Sequence, residues 1–135
     1  MVYDAARSSA DDAWQAAYKE SLTAPLWQQT TELLELIGPR FTTAGVGLRD
    51  ARTVRRWRDE QVEPRDHAEA QRLRLLYRLV KTITGVYAGG SVAAGWLRSA
   101  NPQLDDEAPL VLLATHDPDE VQQQLLGAVR SFLEG

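Results

Sequence analysis

The stretch GVGLRDARTVRRWRDEQVEPR, residues 45–65, carries five arginines within ten positions: Arg49, Arg52, Arg55, Arg56 and Arg58. The whole chain has 135 residues and a formal net charge of −4, so this cluster runs against the overall charge. Asp50 is a favourable N-cap for a helix. Three apolar residues then recur at intervals of three, which places them on one helical face: Ala51, Val54 and Trp57. The stretch therefore predicts a short helix with an apolar inner face and an arginine-rich outer face.

A shorter helix is predicted just before this one. Residues 41–46 form it, although Gly45 weakens it, and residues 47–49 form the turn between the two helices. Two helices joined by a short turn are the layout of a helix-turn-helix, in which the second helix enters the major groove of DNA. The planar guanidinium of arginine makes two hydrogen bonds to O6 and N7 of guanine and also pairs with phosphate. The helix from Asp50 to about Glu60 is therefore a predicted DNA-binding element.

The predicted DNA-binding residues fall into two groups. Four project from the N-terminal half of the helix on its outer side and are expected to reach bases: Arg49, Arg52, Thr53 and Arg56. Arg55 and Arg58 lie to the sides, where phosphate contacts position a protein without specifying a sequence. The alternative is an amphipathic helix whose basic face is only solvated, but the acids available to balance it, Asp59 and Glu60, lie at its end.

Nearly every other segment also has a helical pattern, so the predicted fold class is all-α. The expected helix boundaries are Ser9, Asp66 with Glu69 at capping-box spacing, and Asp117 as starts, and Gly38–Pro39 as a stop. The run Val111–Leu113 also fits a buried strand, but a single strand has nothing to pair with in this chain. An all-helical protein is therefore the prediction.

The C-terminal part of the chain has the opposite charge. Residues 101–135 hold seven acids and, as the only Lys or Arg, Arg130. The predicted inner face of the last helix consists of Val121, Leu125, Ala128, Val129 and Phe132. Apart from Ala128, these residues fit either the core or an interface. Three adjacent acids, Asp105–Glu107, point in different directions without a neighbouring His, so a turn is expected there rather than a metal site. The charge asymmetry predicts two surfaces, one for DNA and one for a protein partner.

The composition argues against several classes of function. The chain has no Cys, which excludes disulfides, thiolate metal sites and a Cys nucleophile, and makes the cytoplasm the expected location. No signal-peptide pattern is present, and no stretch approaches the roughly 18 apolar residues of a membrane span. GVYAGGS at residues 85–91 lacks the lysine of a phosphate-binding loop, and His67 and His116 lie far apart in sequence. We therefore expect no enzyme activity, no cofactor and no metal.

Residues 26–135 resemble a known family in the order and spacing of several motifs. GPRFTTAGVGLRDARTVRRWRDEQVEPRDHAEAQRLRLLYRLV resembles the Xre-type helix-turn-helix of antitoxins, with Trp57 near the end of the recognition helix and a long helix to follow. SVAAGWLRSANPQLDDEAPLVLLATHDPDEVQQQLLGAVRSFLEG resembles the Xre/MbcA/ParS toxin-binding domain. The shared pattern there is Trp96-Leu97, the turn from Asn101 to Leu104, a helix start at Pro109-Leu110 and a final helix.

This resemblance implies an antitoxin of a RES–Xre toxin–antitoxin pair, related to MbcA. Such proteins bind a RES-domain toxin that destroys NAD⁺, obstruct its active site, and repress their own operon as dimers. The implied organisation is an N-terminal helical extension (1–25), a DNA-binding module with its long following helix (26–84) and a toxin-binding domain (85–135). The predicted toxin-binding residues are Leu126, Arg130, Phe132, Leu133, Glu134 and Gly135.

Two other functions fit the same residues. An orphan transcriptional regulator would keep both modules without a toxin. A protein-interaction module would use neither DNA nor toxin, and its arginines would be solvated surface. Operator binding would distinguish the antitoxin and the orphan regulator from the interaction module. A RES-type reading frame beside the gene would favour the antitoxin over the orphan regulator.

Overall fold

The computed structural model describes residues 5–135, with side chains from Ser9 onward. Residues 1–4 of the predicted N-terminal extension lie outside the described part. Within that part the chain forms seven α-helices and one 3₁₀ turn without a strand, which confirms the all-α prediction. The elements are α1 (Ala5–Thr23), α2 (Leu26–Val46), α3 (Ala51–Glu60), α4 (His67–Thr84), α5 (Ser91–Arg98), the 3₁₀ turn (Pro102–Leu104), α6 (Pro109–Thr115) and α7 (Pro118–Glu134). Val111–Leu113 lies inside α6, so the alternative of a buried strand is wrong.

The predicted stop at Gly38–Pro39 is a break within α2. Gly38 has φ 84° and ψ 169°, which is not helical, and helical structure resumes directly at Pro39. Proline suits the first position of a new helix because it has no N–H to satisfy and its φ is already helical. α2 therefore has a first half, residues 26–37, and a second half, residues 39–46, that runs in a different direction.

Aspartate side chains cap three of the helices as the sequence predicts. The carboxylate of Asp66 accepts the backbone N–H of Glu69 at 2.9 Å, and that of Asp117 accepts the N–H of Asp119 at 2.8 Å. Asp50 caps α3 in the same way. The predicted cap at Ser9 is wrong, because α1 already begins at Ala5. The alanines before Ser9 have high helix propensity and extend the helix past it.

α4 is the central helix of the protein. It packs against α1, α2, α5, α6 and α7, and its side chains from Leu73 to Ile83 are largely buried. One continuous hydrophobic cluster includes buried side chains from every helix between α2 and α7. The parts implied by the resemblance, residues 26–84 and 85–135, therefore share a core, and their division into separate modules remains a prediction.

α1 is joined to the rest of the protein by polar and aromatic contacts. The buried side-chain amide of Gln29 donates at 3.0 Å to the carbonyl oxygens of Ser21, near the end of α1, and of Ala24, just after it. The guanidinium of Arg78 on α4 lies 4.7 Å from the ring centroid of Trp14 and 4.5 Å from that of Tyr18. A cation over an aromatic face is held by the negative charge of the ring face. The two aromatic residues thus hold α1 against α4 of their own chain.

Candidate functional site

The turn before α3 depends on a glycine. Gly47 caps the C-terminal end of α2 with φ 83° and ψ 20°, a left-handed conformation that strains other residues. Gly45 was expected to weaken α2, but it also permits close packing, because a Cβ there would lie 2.8 Å from a methyl of Leu76 on α4. Val54 and Trp57 are only 0% and 3% exposed, and both belong to the core. α3 is therefore held firmly against the body of the protein while its opposite face stays free.

Most of the predicted DNA-binding residues are accessible on and beside α3. The exposed ones are Arg49, Arg52, Arg55 and Arg56, and the side chain of Arg52 is 87% exposed. Thr53 and Arg58 are half-buried. The six residues therefore share one short region, but they are not equally available to a ligand.

Asp50 makes two kinds of contact at the start of α3. One carboxylate oxygen accepts the backbone N–H of Arg52 at 2.9 Å, and the other accepts Nε of the same guanidinium at 2.8 Å. The side-chain hydrogen bond from Arg52, and after it the backbone one, hold the pKa of Asp50 below its usual value. This pairing orients Arg52 without burying it, so its remaining N–H groups are open to solvent.

Two other arginines of α3 pair with acids at the end of the helix. Arg58 donates from Nε to Asp59 at 2.8 Å, and Nη1 of Arg56 lies 3.8 Å from the carboxylate of Glu60. Exposed ion pairs of this kind contribute only about 0–1 kcal/mol. Both arginines can therefore exchange their acidic partner for another anion at little cost.

On the side of α3 that faces α2, three arginines have no acidic partner within 4.0 Å among the described residues: Arg40, Arg49 and Arg55. Arg40 is not among the predicted site residues, although it contributes to the positive charge of the segment. It lies at the start of the second half of α2. Only the folding of that half beside α3 brings Arg40 near the other two, and helical spacing along the sequence cannot show this.

The burial of α7 differs from the prediction. Phe132, expected on the inner face, is 39% exposed, whereas Leu126 and Leu133, expected to be available for contact, are only 8% and 4% exposed. The physical reason is α1, which packs against α7. The side of α7 that carries Arg130 faces α1, since Arg130 pairs there with Asp11, and this widens the buried arc of the helix.

Arg130 is engaged within the protein. Nη2 lies 2.6 Å from the carboxylate of Asp11, Nε donates to Glu134 at 3.3 Å, and the guanidinium lies 5.0 Å from the ring centroid of Trp14. Glu134 is half-buried and Gly135 is exposed. Of the predicted toxin-binding residues, Phe132 and Gly135 are therefore the ones that present an open surface.

An open apolar groove lies beside Phe132. It has a volume of about 590 Å³, and its walls come from α5, α7 and the chain around the 3₁₀ turn. The ring of Phe132 lies 6.2 Å from that of Tyr87 and 6.3 Å from that of Trp96, measured between centroids. Aromatic rings dominate the energetics of protein interfaces. Tyr87 and Trp96 were not among the predicted contact residues. They lie far from Phe132 in sequence, so helical spacing cannot show that the three rings are neighbours.

A second, acidic cleft adjoins this groove. Gln103 lines both, and the carboxylates that line the second cleft, of about 540 Å³, are Asp105, Glu107 and Glu120. Across the described residues, no group of three or more His, Asp or Glu side chains is placed to hold a metal ion. The acidic segment therefore provides a negatively charged surface next to an aromatic one.

Comparisons with known proteins give no relative for this chain. No family model, no curated protein and no solved structure matches it. None of the helices in residues 5–135 combines the length and apolar character needed to cross a membrane.

Proposed function

We propose that this protein is an antitoxin that represses its own operon through α3 and neutralises a RES-domain toxin through its C-terminal helices. The observation that carries the proposal is the architecture of α3. Two buried side chains, Val54 and Trp57, anchor a ten-residue helix whose other faces carry exposed arginines. Packing of α3 against the core does not require so many cations in an acidic protein. Binding to a DNA duplex does, because the duplex carries dense negative charge along its axis.

The DNA-binding half of the proposal rests on the accessibility of these cations. Arg52 and Arg56 project from the outer side of α3 and are the proposed base-reading residues, supported by Arg49 and Thr53. Arg55 and Arg58 are proposed phosphate contacts. A single recognition helix reads few base pairs, so the protein is proposed to act as a homodimer on half-sites about one helical turn apart.

The toxin-binding half rests on the aromatic groove and the acidic cleft beside it. Phe132 is its proposed centre, because a partly exposed aromatic side chain beside an apolar groove is the common form of an interface anchor. The acidic residues next to it would raise the rate and selectivity of association with a partner that must bind an anionic dinucleotide. Leu126 and Leu133 are both buried and do not line the groove, so the proposed contact surface does not include them.

The experiment is co-expression with the reading frames that flank the gene, followed by purification and an NAD⁺-consumption assay. We expect a stable complex, and we expect NAD⁺ loss to stop when this protein reaches a fixed stoichiometric ratio to its partner. Phe132→Ser should weaken that inhibition. Val111→Ser is the matched control, because Val111 is also an exposed apolar residue but does not line the groove.

Each outcome decides between functions. Binding to DNA upstream of the gene without a complex or NAD⁺ loss would overturn the antitoxin and leave an orphan regulator. A complex without DNA binding would leave an interaction module. Equal loss of inhibition in Phe132→Ser and Val111→Ser would remove the groove from the toxin interface.

A further inference from the structure

We propose that the cleft between the second half of α2 and α3 binds a backbone phosphate of duplex DNA through Arg40, Arg49 and Arg55. This inference rests on the proposed DNA-binding function and adds to it a defined phosphate site, a new residue and an orientation for the duplex. It also makes Arg49 a phosphate contact instead of a support for base reading. The cleft has a volume of about 450 Å³. Its lining residues are Pro39, Arg40, Thr43, Ala44, Leu48, Arg49, Ala51 and Arg55.

The charges of the cleft favour an anion. All three of its ionisable lining residues are arginines, and no acid lines it. None of the three has an acidic partner within 4.0 Å among the described residues. The cleft is therefore bordered by three guanidinium groups without an acidic partner. They come from α2, α3 and the turn between them. A phosphate there would receive charge-assisted hydrogen bonds from donors that now face only solvent.

The wall of the cleft contains an unpaired polar group. Thr43 is 95% buried, and its hydroxyl has no hydrogen-bond partner in the described part of the chain. Buried hydroxyls are normally hydrogen-bonded, because leaving one unpaired costs about 1–3 kcal/mol. An oxygen of a bound phosphate is an acceptor of the kind that Thr43 lacks. This observation is independent of the charges of the three arginines.

The opposite flank of α3 has the contrary charge. The cleft on that side is lined by four acids, Glu60, Glu63, Asp66 and Glu69, and by the two arginines Arg56 and Arg65. A phosphodiester backbone would be repelled there and attracted to the first cleft. The duplex is thereby oriented, with its backbone crossing the second half of α2 and away from the four acids, which lie at the C-terminal end of α3 and beyond it.

The test compares two arginines on opposite flanks of α3. Binding of a fluorescently labelled mixed-sequence duplex is measured over a range of salt concentrations for the wild type, Arg40→Gln and Arg65→Gln. Both side chains are exposed, and both substitutions remove one positive charge. We expect Arg40→Gln to reduce the slope of log affinity against log salt by about 1, as Arg49→Gln and Arg55→Gln should also do. Arg65→Gln should leave the slope unchanged, and Arg40→Lys should restore it.

The outcomes separate failure of this inference from failure of the proposed function. If Arg40→Gln and Arg65→Gln change the slope equally, only general electrostatics acts and the cleft is not a phosphate site, although DNA binding stands. If the wild type binds no duplex, the DNA-binding function fails together with the cleft. Titration with inorganic phosphate and with AMP forms a second arm. Saturable binding that Arg40→Gln abolishes, with duplex binding unaffected, would assign the cleft to a small anion and overturn its role in DNA binding.

Discussion

α3 and α7 are both amphipathic helices that begin with an aspartate cap, but their polar side chains have different partners. In α3 the arginines point outward, and on the side that faces α2 the cations Arg40, Arg49 and Arg55 have no acidic partner within 4.0 Å in the described residues. In α7 the corresponding cation, Arg130, is held by Asp11 and Glu134 and lies over Trp14. α7 instead presents an aromatic edge at Phe132.

The difference indicates what kind of ligand each helix can take. A helix with exposed, loosely paired cations can exchange solvent for phosphate without breaking internal contacts. A helix whose charged side chains already form ion pairs within the protein presents mainly apolar surface to a ligand, and such a surface is suited to a protein partner. The same secondary structure therefore supports two kinds of recognition, and the contacts with α1 account for much of the distinction.

The largest expected effect is the removal of the anchor of α3. Trp57→Ala should lower the free energy of unfolding by about 3–5 kcal/mol, because a buried aromatic side chain is lost from the core and leaves a cavity. Chemical denaturation monitored by circular dichroism measures this. DNA binding should be lost with it, while Arg98→Ala, an exposed residue on α5, should leave the stability unchanged. A loss below about 1 kcal/mol would show that α3 is held by other contacts.

The second prediction tests the reversed burial in α7. Leu133→Ala should cost about 2–5 kcal/mol because Leu133 lies in the interior, and Phe132→Ala should cost clearly less because its ring is partly exposed. The two neighbouring variants control for each other in a single denaturation series. If Phe132→Ala is the more destabilising of the two, Phe132 and not Leu133 packs in the interior, as the helical pattern of the sequence predicts.

The elements predicted correctly are those whose signals are local. Asp50, Asp66 and Asp117 cap helices because a carboxylate reaches an N–H two or three residues further on, and this geometry is fixed by the adjacent chain. Gly38 changes the direction of α2 through its own backbone angles, which is also a local effect. The all-α fold follows from such signals.

The parts that sequence reasoning missed depend on contacts between distant segments. Leu133 is buried on the side of α7 that α1 covers, although more than a hundred residues separate the two. Arg40 joins Arg49 and Arg55 only because the second half of α2 folds beside α3. Tyr87 and Trp96 meet Phe132 across three elements. Helical periodicity describes the faces of one helix, and it carries no information about which other helix covers each face.

The third prediction distinguishes the two surfaces. Under the proposed function, Arg52→Ala or Arg56→Ala should weaken binding to the DNA upstream of the gene by about 1–3 kcal/mol, with binding to the proposed toxin intact. Both side chains lie outside the core, so the fold should be preserved, and the N-cap of α3 is retained because Asp50 bonds the backbone N–H of residue 52. Electrophoretic mobility shift and co-purification measure the two activities. Equal loss of both in a folded variant would refute a division into two surfaces.

The smallest expected effect concerns the contact that distinguishes α7 from α3. Asp11→Asn removes the charge that pairs with Arg130, and since both side chains are about half exposed, the free energy of unfolding should fall by less than about 1 kcal/mol. Amide hydrogen exchange of α1 should nevertheless become faster, because the pair joins α1 to α7. Asp12→Asn is the matched control, since Asp12 is exposed and forms no ion pair in the described residues.

The salt dependence of hydrogen exchange in Asp11→Asn and Asp12→Asn tests whether the ion pair is responsible. An exposed ion pair is screened over about 10 Å at 0.1 M salt and over about 3 Å at 1 M, so the difference between Asp11→Asn and Asp12→Asn should shrink as salt is added. The attraction between Arg130 and the face of Trp14 remains in both variants and keeps α1 in place. If the two variants exchange at the same rate in low salt, the ion pair does not hold α1. The burial of Leu133 would then have to arise from apolar packing alone.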